Sequence, residues 1–259
     1  MPLTILLHSS KTMVETPTEA PLTTPRFMKE AAELRKYVQT LSDTDLKKSM
    51  HISEKLSGAV KSLFDDWKTT ELSAAAECFR GDIYSGLRAL DFSADERSFA
   101  QEHLYILSGM YGLLRPYDAV SPYRLEAGYR FPDEPYRNIY SFWAEKIAAQ
   151  LPSEGPVINV TSAEYDTLVM PYIDSDRVIT PRFLTIMPGK TEPKFVAVHA
   201  KIARGAYARW LIQRGREAAD SLQDFTDLGY VYDAEASTQH QPVYICRDFQ
   251  GIGLSQRLA

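Results

Sequence analysis

Apolar residues follow two rhythms along this chain. The first is a short continuous run bounded by polar turns, which predicts a buried strand. Such runs occur at Leu3 to Leu7, in "GPVINV" ending at Thr161-Ser162, in "VITPRFLTI" at 178–186 and in "EPKFVAVHA" at 192–200. Two more, "DLGYVYDAEAST" and "QPVYICRDF", predict terminal strands joined by a polar loop. The second rhythm is helical. Phe27, Ala31, Leu34 and Val38 step along one face of a helix expected from about Pro25 to Thr40. Two short helices follow, one capped near Ser42 and one from about Ser53 to Trp67. "AAAECFRGDIYSGLRA" reads as helix with a turn at Gly81-Asp82. Ser93 and Glu96 form a capping-box pattern that opens a helix over 93–107. Tyr140 to Leu151 and Lys201 to Gly215 are also expected as helices, while Pro17, Pro21 and Pro25 mark a loop.

Helices and strands alternate here without a strict β-α beat. That predicts an α+β or mixed α/β fold, a single domain over 1–259 with a mixed sheet surrounded by helices. The stretch "LSGMYGLLRP" at 107–116 interrupts the pattern. Gly109 and Gly112 can take positive φ and uncover backbone amides, Pro116 disfavours helix at Arg115, and Arg124 lies just beyond. The expected result is a rigid hairpin that follows a helix and resembles the tight turn of helix-hairpin-helix elements, whose amides approach phosphates without reading bases. A structural turn with Gly109 as a helix C-cap is the other reading of the same residues.

Charge changes the picture locally. The net charge is −5, which advertises no nucleic-acid or membrane partner, yet residues 182–216 carry +7 and leave −12 for the remainder. No apolar run reaches the roughly 18 residues of a membrane span. Cys78 and Cys246 are the two cysteines, too few for a disulfide framework, and a cytoplasmic protein is expected. No His-x-x-x-His or Cys-x-x-Cys spacing calls for a metal, and no cofactor is indicated.

Polar groups gather where expected strands end: His8, Ser10 and Lys11 after the first, Ser162 and Glu164 after the second, His199, Lys201 and Arg204 after the fourth. Carboxyl ends of strands are where ligands sit in sheets covered by helices. Lys201 and Arg204 share a helical face near an N-terminus, which suits a phosphate. Ser10 and Lys11 are adjacent, so they point apart on an extended chain and make a weak nucleophile pair. Asp82, Tyr111, Glu126, Ser162 and Glu164 are the candidates for acid, base or nucleophile. Lys11, Gly109, Gly112, Arg115, Tyr123, Arg124, Lys201 and Arg204 are the candidates for binding phosphate or DNA.

The ordered pieces "ISEKLSG" at 52–58, "FRGDIYSGL" at 79–87, "LSGMYGLLRP" at 107–116, "PYRLEAG" at 122–128, "NVTSAEY" at 159–165, "AKIARG" at 200–205 and "LGYVYD" at 228–233 resemble the YaaA peroxide-stress family nearly end to end. The resemblance implies a cytosolic protein that limits damage under hydrogen peroxide by protecting DNA or lowering available iron. It implies a fold peculiar to the family, with a helix-hairpin-helix element at Leu107–Leu114. It also implies a cleft carrying Lys11, Arg115, Arg124, Lys201 and Arg204, with sequence-independent binding of duplex or branched DNA. The chain departs from the family pattern at His8-Ser9-Ser10, at Arg80, and at Ile202, where one cation is lost. Two functions follow: a DNA-binding protein of the oxidative-stress response, or an enzyme acting on a nucleotide or other phosphate-bearing substrate in the same cleft. No reaction is assigned.

Overall fold

The structure is a computed structural model that describes residues 3–70, 72–132 and 136–251. Its helices are α1 (Met28–Thr40), α2 (Asp43–Met50), α3 (Glu54–Asp65), α4 (Asp82–Leu87), α5 (Ala94–His103) and α6 (Ala197–Arg214), with several shorter turns between them. Its principal strands are β1 (Thr4–His8), β2 (Leu104–Ser108), β3 (Gly112–Leu114), β4 (Val157–Asn159), β5 (Val178–Ile179), β6 (Arg182–Thr185), β7 (Tyr230–Tyr232) and β8 (Val243–Cys246). The architecture is α+β with mixed sheets.

Five strands form the larger sheet in the order β3-β2-β1-β4-β5. β2, β1, β4 and β5 run parallel, and β3 folds back antiparallel onto β2 with Leu107 opposite Leu113 and Ser108 opposite Gly112. Ile5, Leu6, Leu7, Leu104, Ile106, Leu107 and Ile158 are all wholly buried. Continuous apolar strands of this kind require cover on both faces, and α6 packs on β1 while α5 packs on β2. Each such side chain contributes roughly 1.5–3 kcal/mol by leaving water. The smaller sheet, β6-β8-β7, pairs β6 with β8 in parallel and β7 with β8 antiparallel.

Four expected elements differ from those observed. The helix opened by the Ser93–Glu96 capping box stops at His103, and Leu104–Ser108 is a central strand. A short apolar run looks alike in a buried helix and a buried strand, so periodicity could not separate them. The "VITPRFLTI" run is cut at Pro181 and feeds two different sheets. "EPKFVAVHA" is no strand: Lys194 makes one bridge to Thr185, α6 begins at Ala197, and its apolar Phe195 and Val198 face solvent. Tyr140–Leu151 breaks after Trp143, where Ala144 takes a positive φ.

The expected helix-hairpin-helix turn at 107–114 is a buried β-hairpin. A Cβ on Gly112, whose φ is +67°, would sit 2.7 Å from the Trp143 ring, and one on Gly109 would sit 2.3 Å from the Leu125 carbonyl oxygen. Trp143, fully buried, also donates its indole N–H to the Gly109 carbonyl at 2.9 Å. These glycines admit protein, and their surroundings leave no open face for a phosphate backbone.

The closest helix contact is α4 against α6. Gly86 and Gly205 lie at the crossing, and a Cβ at either would enter the other backbone, 2.0 Å from Ile202 O and 1.7 Å from Ile83 O respectively. Gly205→Ala should lower the unfolding free energy by about 3 kcal/mol, because backbone cannot yield as a flexible side chain does. Gly58→Ala is the control: nothing lies within 4 Å of that site in α3, and the change should be neutral or stabilise by about 0.5–1 kcal/mol. Urea titration of both variants tests the contrast.

Candidate functional site

β1 is central, with β2 on one flank and β4 on the other. The chain therefore leaves β1 toward one side and later returns to its opposite side. A crevice opens at the carboxyl ends of strands where the order reverses in this way. Here it is a cleft of about 600 Å³ between the segments following β1 and β4, closed by α4, α6 and the loop carrying Glu126. Ser10, Lys11, Asp82, Glu126, Ser162, Glu164 and Lys201 line it. These groups come from distant parts of the chain, and most were expected from strand ends and motifs.

The acid side is built around Glu126. It is buried, accepts a hydrogen bond from the Tyr129 hydroxyl, and faces the Lys11 ammonium at 3.5 Å. The Lys11 side chain is 60% exposed against 6% for Glu126, so the pair spans the boundary between solvent and interior. Burial raises the Glu126 pKa above its ordinary 4.5, Glu164 adds to the rise, and Tyr129, Lys11 and Arg124 oppose it. Glu164 is held by the Gly128 N–H, which donates to Oε1 at 2.9 Å. A carboxyl whose pKa is raised by burial, beside an exposed ammonium, is the arrangement a proton-handling group needs.

The floor is aromatic. His8 stacks on Tyr165 with ring centroids 4.7 Å apart, and the Tyr165 hydroxyl meets Ser9 Oγ at 3.1 Å. His8 Nδ1–H donates to the Ser9 carbonyl at 2.8 Å, which leaves Nε2 buried without a partner among the described residues. Tyr84 donates to the His8 carbonyl at 2.9 Å. Beneath the floor, Asp166 accepts from Asn159 at 3.0 Å and from the Thr161 hydroxyl. Arg204 lies close enough to feel the Asp166 charge, half-buried and with its pKa lowered by that burial. Lys201, a turn earlier on α6, is the exposed one that reaches the cleft.

Other expected residues fall elsewhere. Tyr111 is buried, its hydroxyl accepting from Ser121 N–H at 3.0 Å, and Tyr123 is buried against Ser108 at 2.7 Å. Burial raises both phenols well above their usual range. Arg124 is half-buried near Glu126 and Tyr129. Arg115 follows β3, which runs away from the cleft, and its guanidinium packs over Tyr105 at 4.7 Å. The cations of 182–216 also disperse: Arg182 is the exposed first residue of β6, Arg209 covers Phe92, and Arg214 covers Trp210. The Arg216 side chain is outside the described set. Tyr129 and Asp166 were missed in sequence, since neither sits in a spacing that points to its partner. Among the described residues, no group of three His, Cys, Asp or Glu is placed to share a metal ion.

His8 carries a pH signature. Burial, with Arg204 and Lys201 nearby, lowers its pKa from 6.5 to about 4 against the opposing Ser9 hydrogen bond and Asp166. Between those values the unfolded chain takes up a proton that the native state refuses, so stability rises with pH across the window and is lost on acidification. Unfolding free energy should fall by up to about 3 kcal/mol from pH 6.5 to 4 on this account. His8→Phe, which keeps the ring, should flatten that part of the profile in denaturant titrations at stepped pH.

Comparison with known proteins agrees with the motif pattern. A family model described as peroxide stress protein YaaA matches residues 3–236. A UPF0246 protein of Salinispora tropica is 46% identical over 256 residues, covering 98% of this chain and 97% of its own length. A UPF0246 protein of Ruegeria sp. strain TM1040 is 40% identical, covering 93% and 98%, and one of Burkholderia mallei is 37% identical, covering 86% and 89%. With a family match over most of its length and relatives this similar from end to end, the chain belongs to the YaaA peroxide-stress family, the UPF0246 proteins.

Proposed function

We propose that this chain serves the peroxide-stress response named in its family by holding a phosphate-bearing substrate, a nucleotide or a nucleic-acid phosphate, in the cleft at the carboxyl ends of β1 and β4. The observation that carries this reading is the meeting of Lys11 and Lys201 with Asp82, Glu126, Glu164 and Ser162 in one concave space. Lys11 and Lys201 neutralise the anion, Ser162 supplies a hydroxyl donor, Ser10 is already committed to the Arg80 carbonyl, and Glu126 takes or gives a proton. A surface that only grips a DNA backbone has little use for three carboxyl groups beside two lysines. Duplex DNA remains the macromolecular form of the same ligand class. With Gly109 and Gly112 buried and Arg115 distant, its backbone contacts would rest on Lys11, Lys201 and Arg124.

The cysteines fit a role outside direct peroxide sensing. Cys78 and Cys246 are buried, and burial pushes the Cys78 thiol up to about 12 and raises Cys246 as well. A thiolate must be both formed and exposed to react with peroxide.

Fluorescence anisotropy with a labelled duplex, and calorimetry with a nucleotide, test the reading together. Lys11→Glu and Lys201→Glu should each weaken nucleotide binding by tenfold or more. For a duplex, each should also flatten the dependence of affinity on salt by about 0.9 per lost contact. Arg182→Glu, at an exposed position on β6, should do neither. Unchanged nucleotide affinity in both cleft variants would overturn the proposal. Anion affinity should also fall as pH rises from the ordinary Glu126 value through its raised one, because the new carboxylate charge competes for Lys11. Glu126→Gln should remove that pH dependence in the same calorimetric series.

A further inference from the structure

The opposite end of the large sheet holds a second polar cavity. It measures about 220 Å³ and is lined by Thr23, Arg26, Gln101, Tyr105, Arg115 and Asp118, among others. None of these lines the cleft. The strands set the separation: β3 pairs antiparallel with β2, so the chain that leaves the cleft end at Gly112 reaches Ile106 with Leu114 and carries Arg115 past it.

Three polar side chains make a rigid frame. Gln101 donates from Nε2 to Thr23 Oγ1 at 3.1 Å, and the Thr23 hydroxyl donates to Asp118 Oδ1 at 2.7 Å. The Arg115 backbone N–H donates to Asp118 Oδ2 at 2.8 Å, and Gln101 Oε1 accepts from the Tyr117 N–H at 3.0 Å. Both oxygens of the buried Asp118 are therefore engaged by the protein. Burial also raises its pKa, with Arg115 and Arg26 opposing.

The two guanidinium groups are what this frame leaves over. A guanidinium carries five N–H donors. Among the described residues, Arg115 gives none of its side-chain donors to a protein acceptor within hydrogen-bond distance, and its Nε is out of solvent. Its one side-chain contact of note is the face of Tyr105 at 4.7 Å, which fixes the plane without using an N–H. Arg26 spends one donor on the Gln150 side chain and faces no carboxylate within 4 Å among the described residues. A buried donor with no acceptor, such as Arg115 Nε, costs about 1–3 kcal/mol. A ligand with several acceptor oxygens and negative charge relieves that cost and adds to the carboxylate of Asp118, which both guanidiniums feel. The fork of a guanidinium matches a phosphate with two parallel hydrogen bonds. The cavity's roughly 220 Å³ has room for one such group.

We propose that Arg26 and Arg115 form a second anion site, separate from the cleft, that takes a single phosphate group. The phosphate is either free inorganic phosphate or the terminal phosphate of a nucleic acid, and both offer the same oxygens to the same fork. The site stands whether or not the cleft binds its proposed substrate.

Calorimetric titration of the full chain with inorganic phosphate tests it, using variants that separate the two ends of the sheet. The double cleft variant Lys11→Gln/Lys201→Gln should still bind phosphate. Arg26→Gln, at an exposed position, should weaken that remaining binding by roughly tenfold. Arg115→Lys keeps the charge but loses the fork and should weaken it too. Thermal melts show whether each variant is folded, and the exposed Arg26 change keeps the test valid if the Arg115 change is not. Loss of all phosphate binding in the double cleft variant would overturn the site, as would unchanged binding in Arg26→Gln. A 5′-phosphorylated oligonucleotide that binds the double cleft variant more tightly than its unphosphorylated twin, with the difference abolished by Arg26→Gln, identifies a nucleic-acid end as the source. Equal binding of the two, alongside phosphate binding sensitive to Arg26→Gln, identifies free phosphate.

Discussion

The contact of α4 with α6 governs the site. Two backbones touch where Gly86 meets Gly205, at a distance no side chain would permit. That contact brings the start of α4, with Asp82, beside Lys201 on α6. It also sets Gly81 against Ser10, where a Cβ would lie 3.0 Å from the serine hydroxyl. The cleft is thus shaped by missing atoms as much as by charged ones. A parallel sheet supplies the floor, but the short helix must seat closely before the floor has a wall.

Charge follows from that seating. Lys201 projects into the open space while Arg204, one turn on, is drawn inward toward Asp166. The same helix therefore gives one cation to the cleft and keeps another half-buried, near the charge of Asp166 in the hydrogen-bonded layer of Asn159, Thr161 and Asp166. His8 sits between the layers, neutral, with its ring against Tyr165. A protonated ring there would place a third positive charge in a region already carrying two.

How far the sequence made this legible depends on what each residue answers to. Lys11, Ser162 and Glu164 follow strands whose apolar runs are unmistakable, so their meeting could be anticipated from the rule that ligands sit at strand ends. Asp82 and Glu126 carried no such signal beyond family motifs, because their place is set by helix docking and by a loop. The glycines were visible but misassigned. Gly109 and Gly112 look alike in a turn that bares amides and in one packed under Trp143, since a glycine records the need for space and not what fills it. Leu104–Leu107 misled for a related reason: a strand covered on both faces has no polar side to reveal its period. Arg115 had a positive charge and a neighbouring proline, and neither indicates which end of a sheet it will occupy.

The depth of the two thiols has a kinetic consequence. Cys78 and Cys246 meet an oxidant only when the chain opens, since both lie inside the folded molecule. Oxidant then acts as a ratchet on opening, converting each exposed sulfur to a polar acid that no longer fits its apolar niche. When that capture outruns reclosing, survival of the active form in peroxide is set by how rarely the native state opens, a rate, and hardly by its equilibrium margin. The tight seam between α4 and α6 would then matter for endurance as well as for shape.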